Sequence, residues 1–408
     1  MTTISRNPVC AILIACSIAA VMSCGDSTSG PTTPTEPPLT PIDVRCQLVP
    51  EGFGPAGTTP VDTEVVASDL EIPWSLQWLP DGDMLVTQRL GAILRITPEG
   101  DKTEIARLTG VEGLLEGGLL GLALHPRFEE NNWFYIYYTQ QRGGEFVNVV
   151  ERWTLAPDGQ SALPDRIIVD GIPALLFHNG GRLRFGPDGY LYIGTGDAGT
   201  PERAQDPNSL AGKVLRVTDE GEIPEDNPFP GSPAYVIGVR NTQGISWRED
   251  GRIVLTDHGP SGLPLEGGRI GHDELNIAES GTNLGWPEQY RCEEAAGRRP
   301  PSMSWANAMP PGGIAIYDSD EIPEWRGDAF IGVLGFGSAI GHLHRIRLSD
   351  EGNVEITENY FLGEGGFGRI RDVIMGPDGG LYFTTSNCDG RGSCPDGGDL
   401  IVRVGRRS

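Results

Sequence analysis

The chain has 408 residues, with 58 Gly and 33 Pro, roughly twice the usual glycine share. This weighs against a helical bundle, because each interior glycine costs a helix about 1 kcal/mol, and favours turn-rich β structure, where glycine supplies positive φ. A formal net charge of −25 repels nucleic acid and anionic membrane, so neither is expected as a partner.

Residues 1–24 read as an export signal. Arg6 is the only charge, and residues 9–22 form an apolar run that fits a signal h-region and is short for a membrane span. The run ends in Val21-Met22-Ser23-Cys24. This resembles a bacterial lipobox, with a small residue before a Cys that becomes lipidated; an ordinary secretory signal is the alternative. A lipid on Cys24 would make the chain an exported lipoprotein, periplasmic or at the cell surface, whose only membrane contact is that anchor. Asp26 is not adjacent to Cys24, and by analogy with known sorting rules this leans to the outer membrane. Residues 25–43 are a Pro- and Thr-rich linker, an extended tether without a core. Beyond it remain Cys46, Cys292, Cys388 and Cys394. An even number in an oxidising compartment makes two disulfides reasonable. Cys388 and Cys394 are close in sequence and are expected to pair, leaving Cys46 for Cys292. No CxxC spacing supports zinc.

From residue 44 to residue 408 one phrase recurs: a short apolar segment, a turn, and a second apolar segment. It runs first as Pro73-Trp74-Ser75-Leu76-Gln77-Trp78, the turn Pro80-Asp81-Gly82, and Met84-Leu85-Val86-Thr87. Later copies occupy residues 118–139 with a turn at 129–132, 181–194 with Pro187-Asp188-Gly189, and 244–256 with Glu249-Asp250-Gly251. Two more occupy 313–333 with Arg326-Gly327-Asp328, and 370–385 with Pro377-Asp378-Gly379. Asp-Gly between apolar runs is a strong hairpin signal. Hairpins repeating at intervals of roughly 50 to 75 residues predict an all-β, six-bladed β-propeller of four-stranded antiparallel blades over residues 44–408. Closure of first blade on last leaves no long open edge. A β-sandwich or solenoid is the alternative from pattern alone.

Several segments carry chemistry. His178-Asn179-Gly180-Gly181-Arg182-Leu183 places a His ahead of a strand, at a glycine-rich approach where a ligand can come close. Its ordinary pKa suits base chemistry near neutrality; a structural loop His is the alternative. Gly194-Thr195-Gly196-Asp197-Ala198-Gly199 matches GxGxxG, but loop-forming residues follow it, and dinucleotide binding needs a helix there. Arg240-Asn241-Thr242-Gln243-Gly244 sets an Arg at the head of the fourth phrase. Asp257-His258-Gly259-Pro260, Asp273-Glu274-Leu275-Asn276 and Asn283-Leu284-Gly285-Trp286-Pro287 are rich in oxygen donors that suit a hard cation such as Ca²⁺. His342 and His344 alternate on a strand without a clear third ligand for a metal. In Arg369-Ile370-Arg371-Asp372, strand alternation puts both guanidinium groups on one face. They repel unless an anion lies between them, or unless Asp372 or Glu364 neutralises them.

These phrases together resemble the soluble quinoprotein aldose dehydrogenases of the glucose/sorbosone dehydrogenase family. The matching stretches are Pro73-Trp74, Gly117-Gly118-Leu119-Leu120-Gly121, His178 onward, Arg240 onward, His258-Gly259-Pro260, Asp273 to Asn276, Asn283 to Pro287, and Arg369 to Asp372. They run in family order over nearly all of the folded part. The resemblance implies a propeller that binds pyrroloquinoline quinone (PQQ) and Ca²⁺ at one end of its central channel. It implies oxidation of aldoses at the anomeric carbon to the lactone, with electrons passed to an external acceptor. By matched position, His178 would be the general base and Arg240 would sit over the reacting quinone carbonyl. Arg240, Asn241, Arg369 and Arg371 would bind the cofactor. The backbone carbonyls of Gly259 and Pro260 would hold its Ca²⁺, and Glu274 with the carbonyl of Leu284 a second, structural Ca²⁺. Two positions depart from the pattern. Gly335 stands where members often carry a cofactor-binding Lys, so binding would be weaker or Arg345 or another cation would compensate. Glu116 stands where some members have Gln, and a carboxylate there is unfavourable unless protonated or turned away. The competing functions are a Ca²⁺-dependent lactone hydrolase and a non-catalytic binding propeller that has lost the cofactor.

Overall fold

A computed structural model describes residues 42–335 and 340–407. The signal, Cys24 and residues 25–41 of the linker lie outside the described residues. Six sheets form six blades, five of them four-stranded. Blade 1 runs in order through Pro73–Trp78, Met84–Gln88, Ala92–Ile96 and Lys102–Arg107. Blades 2, 3 and 5 repeat this simple order over Leu119–Pro173, Gly180–Ile237 and Pro311–Tyr360. The innermost strands of successive blades touch around the ring, and Ile370–Met375 of blade 6 touches Pro73–Trp78 of blade 1. The chain closes the ring by a strand from its beginning: Val61–Leu70 pairs antiparallel with Asp399–Arg406 as the outer edge of blade 6. The six hairpins expected from the sequence are the six inner hairpins of the propeller.

The turns show why. In the Asp-Gly hairpins the Asp carboxylate accepts the backbone N–H two residues on: Asp81 from Asp83 at 3.2 Å, and Asp378 from Gly380 at 3.2 Å. The glycine takes φ +94 at Gly82 and +83 at Gly379, a conformation that costs other residues a Cβ clash. Blade 2 differs. Its turn is one turn of helix, Phe128–Asn131, ended by Asn132 at φ 57.

The second strands, such as Leu191–Thr195 and Ala329–Val333, are buried along their whole length. Neighbouring blades stack on both of their faces, which is why these strands read as continuous apolar runs rather than alternating ones. The core is correspondingly split into six apolar clusters, one at each interface between adjacent blades. Each fully buried Leu, Ile or Phe there contributes about 1.5–3 kcal/mol, so no single cluster governs the ring. Blade 4 carries a fifth strand that the sequence pattern did not mark. Gln47–Val49 pairs parallel with Met303–Trp305, and the Cys46–Cys292 disulfide ties its start to the body of the protein. Cys388 and Cys394 form the other disulfide. Among the described residues no helix is long and apolar enough to cross a membrane.

Candidate functional site

Every inner hairpin has a register shift near the start of its inner strand: Pro73/Ser75, Leu119/Leu122, Gly180/Leu183, Thr242/Gly244, Pro311/Ile314 and Ile370/Asp372. Such bulges re-aim side chains and are common beside active sites. Residues at these six strand heads converge on a cavity of about 370 Å³ at one end of the ring axis. Trp74, Glu116, His178, Gln243, Pro310, Arg369 and Arg371 line it, one or two from each blade.

His178 is 2 % exposed and sits at φ 59. Its backbone N–H donates to Glu116 Oε2 at 2.8 Å, which fixes the ring over the cavity floor. The ring lies between an acceptor and a donor. Asp197 Oδ1 is 2.8 Å from Nδ1, and Arg240 Nη2 is 2.6 Å from Nε2. A carboxylate only accepts and a guanidinium only donates. The partners therefore assign the proton to Nδ1 and leave the lone pair on Nε2. Asp197 is fully buried, and its other oxygen accepts from Trp286 Nε1 at 2.9 Å. Arg240 is held by Glu266 Oε1 (2.6 Å from Nε), by the carbonyl of His258 (3.0 Å) and by Ser261 Oγ (3.1 Å).

Asp197 and Glu266 are site residues that sequence reasoning missed. Asp197 lies inside the GxGxxG phrase, whose pattern points to a nucleotide loop and not to a partner for His178. The short 3-10 turn Pro201–Gln205 follows it, not a longer helix. Glu266 had no signal, since it comes from a loop with no repeat partner.

Arg369 and Arg371 both line the cavity, but not by simple alternation, because Arg371 falls within the bulge. Their counter-ion is neither Asp372 nor Glu364. Asp389 Oδ2 lies 2.7 Å from Arg369 Nη2 and 3.7 Å from Arg371 Nη2. Asp372 instead faces Arg182 at 2.9 Å and Arg184 at 3.4 Å. Burial, with Arg369, Arg89 and Arg391 nearby, pushes Arg371 down to about 9 despite Asp389. Arg371 Nε and Arg89 Nε are buried donors with no hydrogen-bond partner among the described residues. An unmet buried donor costs about 1–3 kcal/mol, so this cavity fits a ligand bearing carboxylates.

Four expectations change here. Arg240 and Asn241 do not line the cavity. Arg240 sits behind three lining residues, His178, His258 and Ser261, and Asn241 Oδ1 accepts from the Gly180 N–H at 2.9 Å. Glu116 is neither protonated nor turned away: it faces the cavity. Burial works to raise its carboxyl, but Arg391, His178 and His258 outweigh this and hold it at about 2. Arg345 does not compensate at the cavity, because it is bound to Asp328 at 2.6 Å and Glu358 at 2.8 Å in blade 5. Gly335 lines the cavity wall, and its carbonyl accepts from Arg369 Nη1.

Gly259 and Pro260 separate this cavity from a smaller one, which Glu274 and Leu284 also line. The Pro260 carbonyl accepts from the Gly271 N–H at 2.9 Å. Burial beside Asp257 and Asp273 pushes the Glu274 carboxyl well above its usual range. Asn276 Nδ2 donates to Glu274 at 3.2 Å. Asn276 Oδ1 and Gln289 Oε1 have no partner among the described residues. Buried oxygen acceptors without donors beside a carboxylate are the donor set of a hard cation. Among the described residues no three His, Cys, Asp or Glu side chains converge as a ligand set; the donors here are mostly carbonyls and amides. His342 and His344 hydrogen-bond to each other at 2.9 Å, and His344 to Thr357 at 2.8 Å, a closed internal chain.

The glucose/sorbosone dehydrogenase family model matches residues 70–401. An aldose sugar dehydrogenase of Escherichia coli K12 is 34 % identical over 361 residues, covering 82 % of this chain and 92 % of its relative. The quinoprotein glucose dehydrogenase B of Acinetobacter calcoaceticus is 32 % identical over 282 residues, covering 61 % of this chain and 57 % of that one. The PQQ-bound aldose sugar dehydrogenase of Streptomyces coelicolor superposes with a TM-score of 0.74 at 35 % identity, over 86 % of this chain and 99 % of that structure. The match takes in His178, Asp197, Arg240 and the arginines of the last blade, and the chain belongs to the glucose/sorbosone dehydrogenase family.

Proposed function

We propose that the protein oxidises aldose sugars at the anomeric carbon to the lactone, using PQQ and Ca²⁺ and passing electrons to an external acceptor. The observation that carries this reading is the Asp197–His178 pair at the floor of a cavity whose wall is rich in arginine. PQQ would accept the hydride from C1, and Ca²⁺ would polarise the accepting carbonyl. Arg369 and Arg371 would hold PQQ carboxylates by charge-assisted hydrogen bonds. The Ca²⁺ at the cofactor would take the carbonyls of Gly259 and Pro260, and a second Ca²⁺ would take Glu274 and the carbonyl of Leu284.

The chain's own part is proton transfer and electrostatics. His178 Nε2 is the ring atom with the lone pair, and it takes the proton of the anomeric hydroxyl. Asp197 then stabilises the imidazolium through Nδ1–H. The Arg240 guanidinium, which yields Nε2 to the hydroxyl, would favour negative charge that develops on the sugar oxygen and on the accepting carbonyl. A lactone hydrolase would have no use for the arginine pair, which speaks for the dehydrogenase. Export through residues 1–24 with lipidation at Cys24 belongs to the same proposal, supported by two disulfides.

The purified protein is loaded with PQQ and Ca²⁺ and offered a panel of aldoses with an artificial electron acceptor. Acceptor reduction with at least one sugar is expected. No reduction with any sugar, together with no PQQ uptake by absorbance, overturns the reading.

A further inference from the structure

The loop closed by the Cys388–Cys394 disulfide stands over the cavity and carries two charges of opposite sign. Asp389 reaches inward to Arg369 and Arg371. Arg391, two residues on, lines the cavity and places Nη2 3.2 Å from Glu116 Oε1, bridging blade 6 to the loop that leads into blade 2. Arg89 lines the same wall. Its Nη1 donates to the Leu115 carbonyl at 2.9 Å, and its buried Nε has no partner among the described residues. Four guanidinium groups thus meet in one cavity of a chain whose net charge is −25.

We propose that Arg391 and Arg89 are cofactor-binding residues that complete a four-arginine cradle with Arg369 and Arg371, and that Glu116 is the counter-ion Arg391 gives up when a carboxylate of PQQ arrives. Three geometric observations carry this. Like charges so close are stable only with anions among them, and Glu116 and Asp389 are two anions for four cations. Arg89 and Arg371 line the cavity, and the buried Nε of each has no acceptor among the described residues. Arg391 is a hydrogen-bonded but partly exposed group, with its side chain 36 % accessible, so exchanging Glu116 for a ligand carboxylate requires a side-chain movement only. The cradle also answers the glycine at 335: the cation absent from blade 5 is supplied across the cavity by blade 1 and by the disulfide loop of blade 6. This rests on the PQQ reading above.

The test is equilibrium binding of PQQ, in excess Ca²⁺ and without sugar, followed by quenching of tryptophan fluorescence. Arg391→Ala is expected to weaken binding about tenfold and to flatten its dependence on salt. Arg391→Lys should lie between Arg391→Ala and the wild type. Glu116→Gln keeps an acceptor for the His178 N–H but removes the competing charge, and should bind PQQ several-fold more tightly. Arg89→Lys should weaken binding, with unfolding midpoints showing that the variant is folded. Wild-type affinity in Arg391→Ala, or no gain in Glu116→Gln, overturns the cradle and leaves the proposed function standing. No PQQ binding by the wild type overturns both.

Discussion

His178 Nδ1 lies 2.8 Å from Asp197 Oδ1, with both side chains sealed from solvent. The carboxylate fixes the tautomer that leaves Nε2 able to accept. Asp197→Asn keeps the shape but can present an N–H to Nδ1, which moves the ring proton to Nε2. Turnover at saturating PQQ should fall by about 10²–10⁴, as for other carboxylate-to-amide changes behind a catalytic imidazole. His178→Ala should lose most turnover as well. PQQ affinity should hold in both, and a parallel loss of affinity would mean that the pair shapes the cavity instead of moving a proton.

Arg240 and Glu266 form a buried ion pair, 2 % and 0 % exposed. Glu266 also accepts from the N–H groups of Ser261 and Leu263, so it organises the loop that carries Gly259 and Pro260. Glu266→Ala leaves an uncompensated buried guanidinium. It should cost about 3–5 kcal/mol in chemical denaturation, and a cost under 1 kcal/mol would show that the loop holds itself.

Most of the fold was legible because its information is local. Asp81-Gly82 and Asp378-Gly379 encode their turns within a few residues, and the flanking apolar runs encode burial between blades. The cavity was legible where it coincides with a strand head, as at His178, Arg369 and Arg371. Asp197, Glu266, Asp389 and Arg391 act from connecting loops, and nothing local distinguishes them from solvated charges. The bulge at Arg371 was hidden for the same reason, since register is a property of the pair of strands.

Calcium should stabilise the protein measurably even without PQQ. Asn276 Oδ1 and Gln289 Oε1 are buried oxygens with no partner among the described residues, beside the Glu274 carboxyl, which takes one donor from Asn276 Nδ2. Ca²⁺ at about 100 times its dissociation constant would add about 2.7 kcal/mol. Chelation should lower the thermal midpoint, and Glu274→Gln should shrink the response to Ca²⁺. An equal response in wild type and variant would place the ion elsewhere.

Acid should remove the Glu116 contribution. Its carboxyl is held at about 2, below its ordinary value of 4.5. A depressed folded-state pKa stabilises the native protein above the unfolded value, and that stabilisation is lost as pH falls through the folded one. The stability difference between wild type and Glu116→Gln should therefore be constant above about pH 5 and shrink by about 2 kcal/mol towards pH 2. A difference that does not change over this window would place the charge-holding contacts of Glu116 elsewhere.

Returning a lysine to position 335 should fail. Gly335 has φ +57, and a Cβ there would lie 2.4 Å from Ile340 Cγ1 and 3.0 Å from the Gly341 nitrogen. Its carbonyl is a partner of Arg369, so a backbone shift to relieve the clash would also disturb a cradle arginine. Gly335→Lys should lower the thermal midpoint and leave PQQ affinity unchanged or weaker, despite adding a cation to the wall. Gly335→Ala separates strain from charge and should lower the midpoint by a similar amount. A lysine variant that binds PQQ more tightly at an unchanged midpoint would show that the wall has room for the cation, and that Arg391 and Arg89 do not substitute for it.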